Sequence, residues 1–246
     1  MKSAIYHTGL TPPRSVNIDG LEIFHYPVLK VEYESSNVPQ DIRDMLQLDP
    51  IVLMMSKNAV IGLEQWTSHF GLGLDFFSDT KFWTVGDRTY ACLKDILGIQ
   101  SFYPDEMTGK GVIKALQDQN HFKLLLISAY VLRQDFIEDL SSAGINFFHF
   151  PVYKTSCVES IEFSTNFENA ESNYLIITSP SGVDGILKSL SLSDLSKMKN
   201  RIISIGPTTS AAIRQKRGDI FLESEVQNIN ALYENLEGLI LKSSYP

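Results

Sequence analysis

Arg201-Ile202-Ile203-Ser204-Ile205-Gly206-Pro207-Thr208-Thr209, running on into Ser210-Ala211-Ala212-Ile213-Arg214, decides the fold. A run with β-branched bias ends at a glycine, and a Pro-Thr-Thr step then opens an amphipathic helical run. That pattern is a strand, a tight turn and a helix N-terminus. Its hydroxyls and backbone N–H groups face out past the strand's carboxyl end. Phe82-Trp83-Thr84-Val85-Gly86-Asp87-Arg88-Thr89, followed by Tyr90-Ala91-Cys92-Leu93, has the same shape. Upstream, Asp49-Pro50-Ile51-Val52-Leu53-Met54-Met55-Ser56-Lys57-Asn58-Ala59-Val60 matches Ser172-Asn173-Tyr174-Leu175-Ile176-Ile177-Thr178-Ser179-Pro180-Ser181-Gly182-Val183. Each is an apolar strand ending in a serine, then two residues, a small residue and a valine that begins a helix. The paired steps recur at near-equal spacing, which points to two related α/β halves.

The chain of 246 residues is long enough for one large or two ordinary domains with a sizeable core. Its 43% apolar and 20% charged content is that of a soluble globular protein. No apolar run reaches the length of a membrane span, and Met1-Lys2-Ser3-Ala4-Ile5-Tyr6 is too short a start for a secretory signal. The two cysteines, Cys92 and Cys157, lie far apart, which suits a reduced, cytoplasmic protein. His7, His25, His69, His121 and His149 are scattered without helical zinc spacing, so no metal is expected. A net charge of −8 without a basic block argues against nucleic acid. It leaves open a small polyanion, because helix N-termini bind carboxylates whatever the total charge.

Strands are expected at residues 3–7, Leu21–Tyr26, Ile51–Met55, Phe122–Ile127 and Asn146–Phe150, besides those already quoted. Helices are expected over Val38–Leu48 and from Ser56, Thr108, Ser179 and Pro207 onward. Val60, Leu63, Thr67 and Phe70 form one core stripe; Leu132, Phe136, Leu140 and Ala143 a second; Ile229, Leu232, Leu236 and Leu239 a third. Gly98, Gly144 and Gly218 stand where helices end, and Ser160–Ser172 reads as a polar link. The alternation of strands with helices means parallel sheets covered on both faces. Two extended segments, 28–34 and 150–156, bracket one half. The expected domains are therefore 1–30 with 156–246 and an inserted 37–149, joined by linker strands 31–36 and 150–155 with a cleft between them.

The sequence shows no nucleophile–base pair, Gly-x-Ser-x-Gly elbow or complete glycine-rich dinucleotide motif. What repeats is a set of hydroxyls at strand ends: Ser56, Thr89, Ser179, Ser181, Thr208 and Thr209. Each alone reads as a helix cap; together they describe helix N-termini forming an anion-binding surface. Tyr153 is either an acid or a packing residue of the linker. Lys57, Arg88, Lys154 and Arg201 are either contacts for an anionic ligand or solvated surface charges.

Ile205-Gly206-Pro207-Thr208-Thr209-Ser210-Ala211-Ala212-Ile213-Arg214 resembles the strongest signature of the uroporphyrinogen-III synthase family. Ile177-Thr178-Ser179-Pro180-Ser181-Gly182-Val183, Val85-Gly86-Asp87-Arg88-Thr89 and Val152-Tyr153-Lys154-Thr155 resemble its other motifs, in order and in register. The resemblance implies a cofactor-free, cytoplasmic, monomeric lyase of tetrapyrrole (haem) biosynthesis. Such enzymes cyclise hydroxymethylbilane to uroporphyrinogen III, inverting ring D through a spiro intermediate with loss of water, and hand-over from hydroxymethylbilane synthase would supply the substrate. The resemblance implies Tyr153 as the group assisting hydroxyl loss, with Thr89, Ser179 and Thr209 near the tetrapyrrole and Thr208 beside them. Ser56 and Ser181 join them as expected substrate binders. The chain departs from the family at His7-Thr8-Gly9, where Thr-Arg-Pro is frequent, at Met55, and at Ser128-Ala129-Tyr130, where Arg-Gly is common. A second reading, a non-catalytic two-domain protein that binds a small anion, stands beside the synthase.

Overall fold

The computed structural model describes residues 3–13, 18, 20–78, 80–119, 123–225 and 228–243. Met1, Lys2, His121, Phe122 and the side chain of Leu239, all named above, lie outside that description. The first half of the chain forms β1 (Ser3–His7), β2 (Leu21–His25), β3 (Leu29–Tyr33), α1 (Pro39–Leu46), β4 (Ile51–Met54) and α2 (Lys57–His69). It continues with a 3-10 turn (Leu74–Phe77), β5 (Lys81–Thr84), α3 (Asp87–Leu97) and α4 (Gly109–Gln117). The second half forms β6 (Leu124–Ala129), α5 (Gln134–Ser142), β7 (Phe147–Cys157), α6 (Ile161–Asn166), β8 (Tyr174–Ile177) and α7 (Pro180–Ser189). It ends with β9 (Arg201–Ser204), α8 (Pro207–Gln215), β10 (Ile220–Glu223) and α9 (Ile229–Ser243). Among the described residues no helix is long and apolar enough to cross a membrane.

The chain divides into two compact units, Met1–Lys30 with Ser156–Pro246, and Val31–Thr155. The first contains the sheet β10-β9-β8-β1-β2 and the second the sheet β3-β7-β6-β4-β5. Pairing is parallel along β2-β1-β8-β9-β10 and along β7-β6-β4-β5, the expected class. The exception is β3. Glu34 N–H donates to Val152 O (3.1 Å) and Val158 N–H to Val28 O (3.0 Å), which makes β3 antiparallel to β7.

Each sheet buries both faces, and its strands alternate between two cores. Val52, Met54, Leu125 and Ile127 face one cluster of the second unit; Ile51, Leu53, Leu124 and Leu126 face the other. In the first unit Leu175, Ile177 and Ile202 oppose Tyr174, Ile176 and Ile203 in the same way.

The repeat is present, but its copies do not coincide with the units. Phe102 bridges Trp83 in parallel, at the edge where the first sheet carries β10. With β3 set aside, the strand orders β2-β1-β8-β9-β10 and β7-β6-β4-β5-Phe102 then correspond place for place. One copy is thus β1-β2 followed by β4-β5, and the other β6-β7 followed by β8-β9-β10. Each sheet combines a strand pair from one copy with the remaining strands of the other, because copies with the same edges can complete each other's sheets.

Local expectations differ from the structure in several places, and Leu132, expected on a helical stripe, lies before the start of α5. Phe70 is 39% exposed at the end of α2, and Trp66, at 5%, fills the core from that stripe instead. The polar stretch 160–172 contains α6, capped by Ser160 and anchored by the buried Phe163. The extended segment after Phe150 is continuous with the strand before it, as the single β7. Gly218 does close α8, its N–H bonding Ile213 O at 3.0 Å, but the left-handed residue is Arg217, with φ 61°.

Candidate active site

In the second unit, β4 ends at Met54, and the chain passes through Ser56 into α2. Ser56 is extended, and its Oγ accepts the Ala59 N–H at 3.2 Å, satisfying a donor that the helix leaves free. The same Oγ lies 3.0 Å from the Tyr153 hydroxyl. The Tyr153 ring packs against the core cluster that contains Val152 and Phe150, so the phenol is anchored at its apolar end. Beside it Tyr33 donates to Asn58 Oδ1 at 3.1 Å, a second phenol held to the first turn of α2. Burial pushes the Tyr33 phenol up, and the neighbouring Tyr153 adds to the rise, so Tyr33 stays protonated.

A cavity of about 530 Å³ opens at the carboxyl ends of this sheet, where parallel α/β folds place ligands. Met55 follows β4, Val85 follows β5, Ser128 and Ala129 end β6, and Tyr153 comes from β7. The charged lining consists of Lys110 and Arg133 with Glu106, Asp135 and Asp139. Arg133 is engaged by Asp135, and that guanidinium holds the Asp135 carboxyl below the usual range. Lys154 is also committed, to Glu34 at 2.8 Å and Glu32 at 3.7 Å.

The first unit repeats the capping chemistry. Ser179 accepts the Gly182 N–H at 3.2 Å and lies 3.4 Å from the Ser181 hydroxyl. The α8 turn is braced differently: Ser204 Oγ donates to Gly206 O at 2.9 Å and lies 3.2 Å from Gly206 N. Its repeat partner Thr84 donates to Gly86 O at 3.2 Å ahead of α3. Thr208 is exposed, whereas Thr209 and Thr89 are 3% and 5% exposed in the first turns of α8 and α3. The first turns of α2, α7 and α8 carry no acid. In α3, Asp87 takes the Arg88 N–H at 2.6 Å, so that N-terminus is already served by its own carboxylate.

The structure therefore brings together Ser56 with Tyr153, and Ser179 with Ser181. Arg201 lies at the opposite, amino end of β9, donating to the Tyr174 hydroxyl at 2.9 Å and stacking on the Tyr174 and Phe221 rings. The expectations missed Tyr33 and Asn58, which carry no repeat signal, and the braces Thr84 and Ser204, which do. Each brace stands two residues before the turn glycine in its copy.

His7 is fully buried at the end of β1. Its Nε2 bonds Thr11 O at 3.0 Å, and His25 Nε2 bonds Gly9 O at 2.7 Å, so both imidazoles hold the loop. Burial pushes His7 down to about 4; the Thr11 carbonyl opposes that and His25 reinforces it. The folded value lies below the ordinary one of 6.5, so the unfolded chain takes up the proton first. The contribution to stability is complete above pH 6.5 and is lost as pH falls toward 4, at about 1.4 kcal/mol per pH unit. Urea unfolding of His7→Gln is expected to lose about 2 kcal/mol less than wild type between about pH 7 and pH 5. Equal losses would show that His7 does not carry this dependence.

Repeated parallel α/β units with hydroxyl-capped helices at their strand ends define the class of protein. The model of the family described as Uroporphyrinogen-III synthase HemD matches residues 15–234, and the chain belongs to that family. A relative named porphyrin biosynthesis protein HemD, from Ruminiclostridium josui, is 25% identical over 189 residues. The match covers 75% of this chain but only 37% of that protein, so the chain spans little more than a third of the curated relative's length. A mutant uroporphyrinogen III synthase from the extreme thermophile Thermus thermophilus superimposes with TM-score 0.61 at 14% identity, over 98% of this chain and 99% of that one. Uroporphyrinogen-III synthetase from Helicobacter pylori does so with TM-score 0.61 at 16% identity, over 97% and 100%. These likenesses show the fold, and the family rests on the matched family model.

Proposed function

We propose that this chain is a uroporphyrinogen-III synthase, a cofactor-free lyase that cyclises hydroxymethylbilane with inversion of ring D and loss of water. The observation that carries the reading is Tyr153, which lines the strand-end cavity and whose hydroxyl lies 3.0 Å from the N-cap Ser56, in a chain that belongs to this family. Tyr153 donates a proton to the departing hydroxyl. Met55, Val85 and Phe136 give the cavity apolar walls that keep water from the azafulvene so formed. The N-termini of α7 and α8, which carry no acid in their first turns, bind substrate carboxylates through Ser179, Ser181, Thr208 and free backbone N–H groups. Thr89 and Thr209, being buried, set the shape of their turns and present backbone rather than hydroxyl. The azafulvene closes unaided to the symmetrical isomer, so the main contribution of the protein is to hold one geometry.

The test couples the protein to a hydroxymethylbilane-producing deaminase and separates the oxidised type I and type III porphyrins. Type III is expected. Type I alone, from folded protein, would overturn the proposal and leave the non-catalytic anion binder.

A further inference from the structure

We infer that Ser56 is a positioning residue that aims the Tyr153 proton, and does not bind substrate itself. This rests on the synthase reading above and assigns one of its residues a different task. Tyr153 lines the cavity, whereas Ser56 is not among the residues that line it. Ser56 has one proton to give, and its oxygen already accepts from Ala59 N–H at 3.2 Å. The 3.0 Å contact with Tyr153 then has two possible directions. If Tyr153 donates to Ser56, the phenol proton is tied up in the protein. If Ser56 donates to Tyr153, the phenol proton is left to point into the cavity.

The surroundings favour the second direction. Donation from Ala59 N–H into Ser56 Oγ polarises the serine hydroxyl and strengthens it as a donor. The N-terminus of α2 is the positive end of a 13-residue helix without an acid in its first turn, and it favours negative charge developing on the phenol oxygen. Asn58 in that turn is held by Tyr33, a phenol that stays protonated and so adds no competing negative charge. The result is a directed chain: Ala59 N–H to Ser56 Oγ, Ser56 O–H to the Tyr153 oxygen, and Tyr153 O–H to the leaving hydroxyl.

The step balances without a co-reactant. The Tyr153 proton passes to the hydroxyl, the C–O bond breaks with its electron pair on oxygen, and water departs. The pyrrole nitrogen supplies the electrons that form the protonated azafulvene. The phenolate keeps its hydrogen bond from Ser56 until it takes back the proton that the attacked pyrrole carbon releases after ring closure, when that pyrrole ring regains its aromaticity.

The experiment measures type III formation from enzymatically supplied hydroxymethylbilane for wild type, Ser56→Ala, Ser56→Thr, Tyr153→Phe and the double variant Ser56→Ala/Tyr153→Phe. Ser56→Ala is expected to lower kcat about fivefold while KM changes less than about twofold. Ser56→Thr, which keeps a capping hydroxyl, restores most of the rate. The double variant is no slower than Tyr153→Phe, because Ser56 acts only through that phenol. Ser160→Ala, which removes the cap of α6 in the other unit, shows what cap loss alone does and leaves the rate unchanged. A raised KM with unchanged kcat in Ser56→Ala would make Ser56 a substrate binder and overturn the inference. So would losses that multiply in the double variant. Either result, with wild type still making type III, leaves the synthase reading standing; type I alone from wild type removes both.

Discussion

Gly62→Ala is expected to destabilise the second unit by about 2 kcal/mol, and Gly185→Ala the first unit by a similar amount. The two glycines are repeat partners, each six residues beyond its capping serine, Ser56 and Ser179. A Cβ on Gly62 would come 2.6 Å from Val152 O, and one on Gly185 would come 2.5 Å from Val28 O. Neither carbonyl is free to yield. Val152 O accepts from Glu34 and Val28 O from Val158, and both bonds belong to the pairing of β3 with β7. Relieving the clash therefore means pushing the helix off its sheet or breaking that ladder, and either costs more than alanine's helix propensity returns, about 1 kcal/mol. Gly238, in α9, has nothing within 4 Å of its would-be Cβ, so Gly238→Ala is expected to stabilise by up to about 1 kcal/mol. The opposite signs separate crowding from propensity. Urea unfolding followed by circular dichroism reads all three, and an unchanged or raised midpoint for Gly62→Ala would show that α2 can move away from β7 at no cost.

The elements legible in the sequence were those with two agreeing signals. β4, β5, β8 and β9 combine an apolar run with a serine or glycine exit, and all four were expected at nearly their observed bounds. The elements missed had one weak signal. β10 is four residues of alternating, half-exposed Ile220–Glu223, and α6 is a short helix held by one buried phenylalanine. Exchange of the repeat copies between sheets was not legible at all. Periodicity reports which residues are apolar and is silent on which strands they pair with.

The meeting of Ser56 with Tyr153 was hidden for a related reason. Strict alternation along β7 would send Tyr153 to the face opposite Val152. Instead the register with β6 slips between Ser128 and Ala129, from Pro151 to Tyr153. Val152 and Tyr153 consequently pack on the same cluster, and the tyrosine reaches α2. Pro151 sits at that irregularity, and it has no N–H to give the ladder. A proline inside an apolar strand, shortly before Tyr153, was the available clue.

Tyr153→Phe is expected to lower the rate of type III formation by at least about tenfold while leaving the second unit folded. The ring is anchored on an apolar cluster, so phenylalanine keeps that packing and loses only the contact with Ser56; the cost to stability is about 1 kcal/mol. General acids commonly contribute about a hundredfold or more, but a phenol is a weak acid and the hydroxyl leaves slowly even unaided, which places the effect toward the low end. Rate and product choice should separate. If Tyr153 serves the departing hydroxyl, the variant at excess concentration still directs its substrate to type III, because the geometry of ring closure is set by the carboxylate contacts. If the ratio shifts to type I even at excess enzyme, Tyr153 positions ring D and its place in the mechanism changes. An unchanged rate removes the phenol from the chemistry, leaving Tyr153 as a packing residue of β7. Ser179→Ala provides the contrast: as a carboxylate contact it is expected to raise KM severalfold with kcat nearly unaltered. The pair of variants thus tests the proposed proton donor and the proposed carboxylate contact separately.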